Sequence, residues 1–493
     1  MDPFSKLPSL IQTEILFHLQ SDVSVKQVIQ ASPSMLWHFV TYKKGVIRYI
    51  LNDIVPFRTS SEILRHALII IHISDQASAK RYREIKSWQT MELPADFTVK
   101  QLQIRWRFFT RMVPFIEDYV SKATSVYPPR AYLGIPDVVD GSGSYFKERR
   151  LETNVVKFTA LTSAERHRFL SAFTRYELLC KAFHLEERDY EEQMATGRQL
   201  AAMCRDSDCR ILLSVHEYYT AVYGALFAHG ANSWLPDIPE SYKTGPSPLH
   251  SVPSEYGLLF PDNIYLDARE YAQDVDTGAS YLAQSLPSRG LDCLMQILVC
   301  VRKETWHDSI LRTWLRSLRY SLSTEWTQHL PNSLTETEFR SYSETRGDQQ
   351  GRGAIRWGRV TTFTPGNARH EKLKLIQLAT YRQRAWGLFD NDRLYPKHIN
   401  HFPSFDDLDR MQRELSIERF RAPRLERKQR RSQKWQDYED MDIPPPTRYS
   451  HKQAMADRDS IVGHLGPSVR FFDAPNEKLP NDFMEDGRLI AYY

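Results

Sequence analysis

The sequence lacks any long uninterrupted hydrophobic run. Its most apolar short stretch is residues 67–73, and a longer candidate at residues 212–231 is interrupted by His216, Glu217 and His229. A helix that crosses a membrane needs about 20 consecutive apolar residues. The sequence therefore predicts no membrane span.

Cysteine is scarce, and its spacing does not suit a structural zinc site. The five cysteines are Cys180, Cys204, Cys209, Cys293 and Cys300. Four residues separate the second from the third and six separate the fourth from the fifth, whereas structural zinc sites favour pairs separated by two residues. The first residues also lack the apolar segment of a secretory signal. We therefore expect a reducing compartment, either cytoplasmic or nuclear.

Familiar catalytic signatures are absent too. The chain has no glycine-rich phosphate loop, no dinucleotide-binding fingerprint, no HExxH and no nucleophile elbow. His398 and His401 stand near Asp406, Asp407 and Asp409, a set that suits a metal patch or, more commonly at a helix start, helix capping. The sequence therefore predicts a protein that is not an enzyme and that uses no cofactor and no metal ion.

The charge balance gives little reason to expect nucleic-acid binding. Lysine and arginine number 65 against 61 aspartate and glutamate residues, for a net charge of +4. One run, RAPRLERKQRRSQK at residues 421–434, is strongly basic. It suits a nuclear-import or phosphate-facing patch, but a solvated helix face has the same composition. The candidate residues of this patch are Arg427, Lys428, Arg430 and Arg431.

What the sequence does have is helical periodicity. Apolar residues recur three and four positions apart over residues 98–124, 162–183 and 209–227. Residues 61–74 have a nearly all-apolar centre that suits a buried helix, with a strand as the alternative. No repeat of about 20 to 50 residues accompanies them, which disfavours leucine-rich, propeller and kelch architectures. We therefore predict a mostly α-helical fold whose body is irregular.

Composition divides the chain into three parts. We predict a three-helix module at residues 1–51, a multi-helix body at 52–400, and a charged helix followed by a partly flexible C-terminal arm at 401–493. Proline- and glycine-rich stretches predict loops within the body near residues 125–148, 232–262 and 341–366.

The first 51 residues carry the strongest local signals. Pro8 suits the first position of a helix because its fixed φ is helical and the N–H that it lacks would have no partner there. The apolar residues that follow fall on one stripe of about three turns. With the residue before Pro8, the stripe consists of Leu7, Ile11, Ile15, Leu16 and Leu19.

Two further helix starts follow within the same module. The pairs Ser21-Asp22 and Ser32-Pro33 each combine a capping side chain with a residue that favours a first turn. Fifty residues with this much aliphatic surface cannot bury all of it internally. Part of the surface is therefore expected to face a partner or the rest of the chain.

This pattern resembles the F-box. The resemblance rests on Leu7-Pro8, the spaced aliphatics after them, Ile15-Leu16, and Leu19 ahead of an aspartate. Leu10 stands where the family usually has an acidic residue. Residues 161–183 and 384–394 also look like segments of filamentous-fungal proteins that carry such a module.

The resemblance implies a function. F-box modules dock on the Skp-type adaptor of SCF ubiquitin ligases, so the chain would be a non-catalytic substrate receptor that presents an unknown protein substrate to the cullin-RING assembly. The implied adaptor-binding residues are Leu7, Pro8, Ile11, Ile15, Leu16 and Leu19. The alternative is a structural or scaffold protein in which the F-box-like helices are sealed against residues 61–124.

Overall fold

The structure is a computed structural model of the whole chain. It describes most of residues 2–183, together with 209–230, 233, 264–275, 282–303 and most of 368–410. Short gaps interrupt the first and last of these stretches, the widest at residues 84–90. The described part is mostly α-helical, as predicted. The predicted loops at 232–262 and 341–366 lie almost entirely outside the described residues, as does the C-terminal arm beyond residue 410.

Thirteen α-helices lie within the described residues. Their bounds are α1 Ser9–His18, α2 Asp22–Ala31, α3 Pro33–Ile54, α4 Ser61–His72, α5 Gln76–Tyr82, α6 Val99–Ala123, α7 Pro128–Leu133, α8 Ser163–Ala182, α9 Cys209–Gly230, α10 Ala268–Val275, α11 Leu282–Ser285, α12 Gly290–Lys303 and α13 Ala368–Gln383. Short 3-10 helices lie at Phe158–Ala160 and Leu286–Arg289.

The three predicted N-terminal helices are α1, α2 and α3, which we call the N-terminal module. The predicted place of Pro8 is wrong by one residue: it precedes α1 as the capping residue with extended backbone, and the helix begins at Ser9. Ser32 caps α3 as predicted, because its hydroxyl accepts a hydrogen bond from the backbone N–H of Met35. The third helix continues past the predicted end of the module, to Ile54.

The N-terminal module is joined to the body by a continuous apolar core. That core runs from Leu16 in α1 through α3, α4, α6, α8 and α9 to Leu388 after α13. At the junction, the ring of Phe39 in α3 lies 6.2 Å from that of Trp106 in α6. The inner face of the module is therefore part of the same core as the body.

Two long helices of the body begin with the capping motif expected from their sequence. Thr98 with Gln101 starts α6, and Thr162 with Glu165 starts α8; in each pair the side chains hydrogen-bond to the partner's backbone N–H. The 25-residue helix α6 also contains Pro114 and continues through it as a single helix.

The predicted loop near residues 125–148 contains regular structure, so that prediction was wrong. The Pro128-Pro129 pair opens the short helix α7. An antiparallel sheet of order β1-β2-β3 follows, formed by Ile135–Pro136, Ser144–Phe146 and Arg149–Arg150. Strands this short carry no readable periodicity, and the turn residues between them gave the only signal.

Two tyrosines of the body hydrogen-bond to the end of α13. Tyr119 in α6 and Tyr132 in α7 donate hydrogen bonds to the carbonyl oxygens of Arg382 and Gln383 at the end of α13. Farther on, Ser404 and Asp407 exchange hydrogen bonds at the start of a helical turn, which matches the predicted cap.

Candidate docking surface of the N-terminal module

The structure separates the six residues that the F-box resemblance singled out. Leu16 is completely buried in the core, whereas Leu7, Ile15 and Leu19 are half-buried. Pro8 is exposed, and Ile11 is 44 % exposed. The predicted stripe is therefore not one surface, because α1 turns Leu16 inward and Ile11 outward.

The face that α1 presents to the core includes a polar residue that the sequence pattern did not mark. Gln12 is buried and its amide donates hydrogen bonds to the carbonyl oxygens of Phe4 and Leu7 and to the hydroxyl of Ser34. A buried amide with partners for its donors is not costly. Gln12 thereby holds the turn before α1 against the start of α3.

The side chain of Asp2 also holds the segment before α1 against the start of α3. Its carboxylate accepts hydrogen bonds from the backbone N–H of Ser34 at 2.9 Å and from the hydroxyl of Ser32 at 2.7 Å. These bonds hold the pKa of Asp2 below its ordinary value. The negative charge also lies at the positive end of the α3 dipole. The chain before α1 is thus tied to the helix start at Ser32-Pro33.

The outer side of the module exposes large apolar residues. Of the nine exposed large hydrophobic side chains in the described part of the chain, six lie within the first 51 residues. We call these six the outer face: Leu10, Ile11, Trp37, Val40, Tyr42 and Tyr49. The two most exposed are Leu10 at 70 % and Trp37 at 69 %.

Leu10 and Trp37 flank the contact between α1 and α3. At that contact, Thr13 Oγ1 lies 2.7 Å from His38 Nε2. Leu10 is three residues before Thr13, on the same side of α1, and Trp37 is adjacent to His38. One turn farther along α1, the ring of Phe17 stacks on that of Tyr49 at 3.7 Å. Both helices that form this contact therefore also expose large apolar side chains.

The contact beneath the outer face carries little charge. Burial lowers the pKa of His38, so its imidazole is neutral at neutral pH. Exposed charged pairs accompany it: Lys44 and Arg48 of α3 both approach Asp96, and Glu14 approaches His18 on α1. A weakly charged centre with charges around it is typical of a protein-binding surface.

Sequence reasoning missed Leu10 and Trp37 as surface residues. Leu10 lies off the stripe, and Trp37 lies in the third helix. The available signal was the replacement of a usual acidic residue by Leu10, which removes a charge from the outside of α1.

The interior of the body holds the most perturbed titratable groups. Asp118 and Lys122 form a buried ion pair with Oδ2 and Nζ 2.6 Å apart, and Tyr218 donates its hydroxyl hydrogen to Asp118 at 2.8 Å. Burial raises the pKa of Asp118 and lowers that of Lys122. A second buried carboxylate, Glu177, accepts hydrogen bonds from Tyr219 and from the backbone N–H of Leu291.

The described residues contain no group of three His, Cys, Asp or Glu side chains placed to hold a metal ion. Of the metal patch considered from the sequence, His401 contacts the carbonyl oxygen of Ala123 at 2.7 Å and Asp407 caps a helix. No helix in the described ranges is long and apolar enough to cross a membrane. The basic residues Arg427, Lys428, Arg430 and Arg431 lie outside the described part.

No family model matches the chain, and neither a curated protein nor a solved structure matches it.

Proposed function

We propose that the chain is a non-catalytic substrate receptor that docks on a Skp-type adaptor through the outer face of its N-terminal module. The observation that carries the proposal is the concentration of exposed apolar side chains in the first 51 residues, among which Leu10 and Trp37 are the most exposed. Exposed apolar surface can mark protein interaction sites, and tryptophan and tyrosine are enriched among the residues that dominate binding energy.

The proposal divides the module into a docking side and a packing side. Pro8 and Ile11, which the F-box resemblance implied, lie on the exposed side with Leu10 and Trp37. Leu16 serves the fold in the free chain, because it is enclosed by the chain's own core. Fully burying a large apolar side chain contributes about 1.5–3 kcal/mol. Several such residues supply enough gross driving force for specific association despite its entropic cost.

The alternative remains a scaffold protein whose N-terminal helices pack internally without an adaptor. The contact of Phe39 with Trp106 and the continuous core favour it, because they tie the module to the body. The two functions differ in what covers the outer face. The scaffold leaves Leu10 and Trp37 in solvent, whereas the receptor buries them against the adaptor.

The test is co-purification of the full chain with a fungal Skp-type adaptor. We expect the Leu10→Ala, Trp37→Ala double variant to lose binding by about 2–4 kcal/mol, since both side chains would be anchors at the centre of the interface. The matched control is Leu375→Ala in α13, which removes another exposed leucine, at 59 %, from a different part of the chain.

Capture of the wild type and of Leu375→Ala, with loss of the double variant, supports the receptor. Circular dichroism and thermal melting establish that each variant is folded. If the adaptor captures the double variant as well as the wild type, the outer face is not the docking site. If it captures none of the folded proteins, the scaffold is the better account.

A further inference from the structure

The start of α6 carries a buried arginine that forms no ion pair with any described carboxylate. Arg105 lies in the second turn of this 25-residue helix, and its side chain is completely buried. Burial alone shifts its pKa, with no carboxylate to offset the effect. Arginine is almost never fully buried unless its charge is paired. A side chain in this position is therefore expected to have an anionic partner.

The guanidinium of Arg105 is held in one orientation by the chain. Its Nη1 donates a hydrogen bond to the carbonyl oxygen of Gln101 at 3.3 Å, and its Cζ lies 4.0 Å from the centroid of the Phe97 ring. One hydrogen bond and the stacking on an aromatic ring leave the planar group little freedom to turn. Arg105 therefore presents a fixed edge.

The edge that remains is the one that binds carboxylates. Nε and Nη2 of Arg105 are both buried and have no hydrogen-bond partner among the described residues. These two nitrogens lie on the same side of a guanidinium and direct their hydrogens in parallel, which matches the two oxygens of a carboxylate. Buried donors without acceptors are costly. The edge therefore has the geometry of a bidentate carboxylate site.

The surroundings of the guanidinium favour a negative charge. A helical side chain leans towards the N-terminus, so Arg105 lies over the first turn of α6, at the positive end of the helix dipole. Burial lowers the pKa of Arg105 to about 10, and the group remains charged at neutral pH. The carboxylate of Asp96, next to Phe97, is bound by Lys44 at 3.0 Å and by Arg48 at 3.5 Å. Asp96 therefore does not serve as the partner of Arg105.

The guanidinium lies close beneath the surface of the protein. Asp96 and Thr98, on either side of Phe97, are exposed, and Gln101 is half-buried. Phe97 itself lies in irregular backbone ahead of α6. A local shift of this segment opens a route to the edge while the helices stay intact.

We propose that Arg105 binds the carboxylate of a small monoanion, with one carboxylate oxygen on Nε and the other on Nη2. A planar carboxylate matches this edge with two parallel hydrogen bonds, and its single charge balances that of the guanidinium. A phosphate dianion would bring a second charge that one guanidinium does not balance. The site belongs to the body and is independent of adaptor docking by the outer face.

The test is binding of acetate to the full chain, measured by ligand-observed NMR at constant ionic strength, with acetamide as the uncharged analogue. A hydrogen bond between charged groups is stronger than a neutral one, so we expect acetate to bind at least about tenfold more tightly than acetamide. Arg105→Lys keeps the positive charge but loses the paired donors, and it should lower the affinity for acetate by about the same factor.

A second variant keeps the test decisive if Arg105→Lys does not fold. Gln101→Glu adds a carboxylate one turn before Arg105 on the same side of α6, and it retains the capping motif, which accepts either residue. The new carboxylate competes for the same donors and should lower the affinity for acetate about tenfold.

The matched control is Thr159→Glu, which adds the same charge at an exposed position. Its neighbour Phe158 hydrogen-bonds to Glu117, which lies about 18 Å along α6 from Arg105. This variant should bind acetate like the wild type.

Three results would overturn the proposal. They are acetate binding that is absent or no tighter than that of acetamide, unchanged acetate binding in folded Arg105→Lys, and equal acetate binding in folded Gln101→Glu and Thr159→Glu.

Discussion

The N-terminal module and the body distribute their side chains in opposite ways. The module leaves large apolar residues such as Leu10 and Trp37 on its surface. The body buries charged residues, including Asp118, Lys122 and Glu177, and gives each of them a hydrogen-bonding partner inside the protein. Both arrangements are costly in isolation, since exposed apolar surface favours association and buried charge must be compensated.

The difference indicates where the side chains of each region find their interaction partners. The charged groups of Asp118, Lys122 and Glu177 have partners within the chain, so they specify how the helices around them fit together. Within the described part of the chain, Leu10 and Trp37 of the outer face are left about 70 % exposed, and the receptor proposal covers them with a second protein. Substitutions within each region test this comparison, and the largest effect is expected at the buried ion pair of the body.

The buried ion pair of the body should be sensitive to loss of one partner. Lys122→Met leaves the carboxylate of Asp118 buried without its cation, which we expect to lower the free energy of unfolding by about 3–5 kcal/mol. Denaturant unfolding of the full chain measures this. The double variant Asp118→Asn, Lys122→Met removes both charges and should be less destabilised than the single variant. A single variant no less stable than the double would show that the pair does not act as a compensated charge.

Two leucines of α1, one buried and one exposed, test the distinction between the inner and outer sides of the module. Leu16→Ala opens a cavity in the shared core and should lower the free energy of unfolding by about 2–5 kcal/mol. Leu10→Ala lies six residues earlier in α1 and is largely in solvent, so it should change the free energy of unfolding by less than about 0.5 kcal/mol. Unfolding curves of both variants are the measurement. Similar losses for the two would mean that α1 is not oriented as described.

Glu177 should make part of the stability depend on pH. Burial raises the pKa of its carboxyl from 4.5 to about 7, so the folded state holds an extra proton between these values. Its contribution to stability is therefore complete below pH 4.5 and is lost as pH rises towards 7. Across this window the wild type should lose up to on the order of 3 kcal/mol relative to Glu177→Gln.

The comparison with Glu177→Gln is needed because buried histidines, among them His216 and His229, act in the opposite direction. Burial lowers the pKa of His216 and His229 from 6.5 to about 3, so their contribution is lost as pH falls through this range. Both proteins share that loss, and the difference between their unfolding free energies isolates Glu177. A difference that stays constant from pH 4.5 to 7 would contradict the raised pKa.

Much of the helical framework could be predicted from the sequence. The caps at Thr162 and Ser32, the apolar centre of α4 and the periodic segments of α6 and α9 gave helices close to those observed. These signals are local, because a cap or an apolar stripe is decided by residues within a few turns. The small sheet after α7 contacts α6 and α9, and no local periodicity predicted its short strands.

The candidate docking surface was harder to predict than the helices that form it. Periodicity placed Leu16 and Ile11 on one stripe, but which edge of that stripe faces the core depends on where α3 and α6 pack. Gln12 shows the same limit, since its burial becomes favourable only once Phe4, Leu7 and Ser34 are in position to accept its hydrogen bonds. The exposure of Leu10 and Trp37 likewise follows from how α1 and α3 pack, which no local pattern specifies.

The most direct test of the docking surface is hydrogen–deuterium exchange of the full chain with and without the Skp-type adaptor. The receptor account predicts slower exchange in peptides from α1 and the first turns of α3 when the adaptor is present, with little change in α8 and α9. Unchanged exchange in α1 and α3 at saturating adaptor, or protection confined to the body, would contradict the claim that the outer face is where this protein meets its partner.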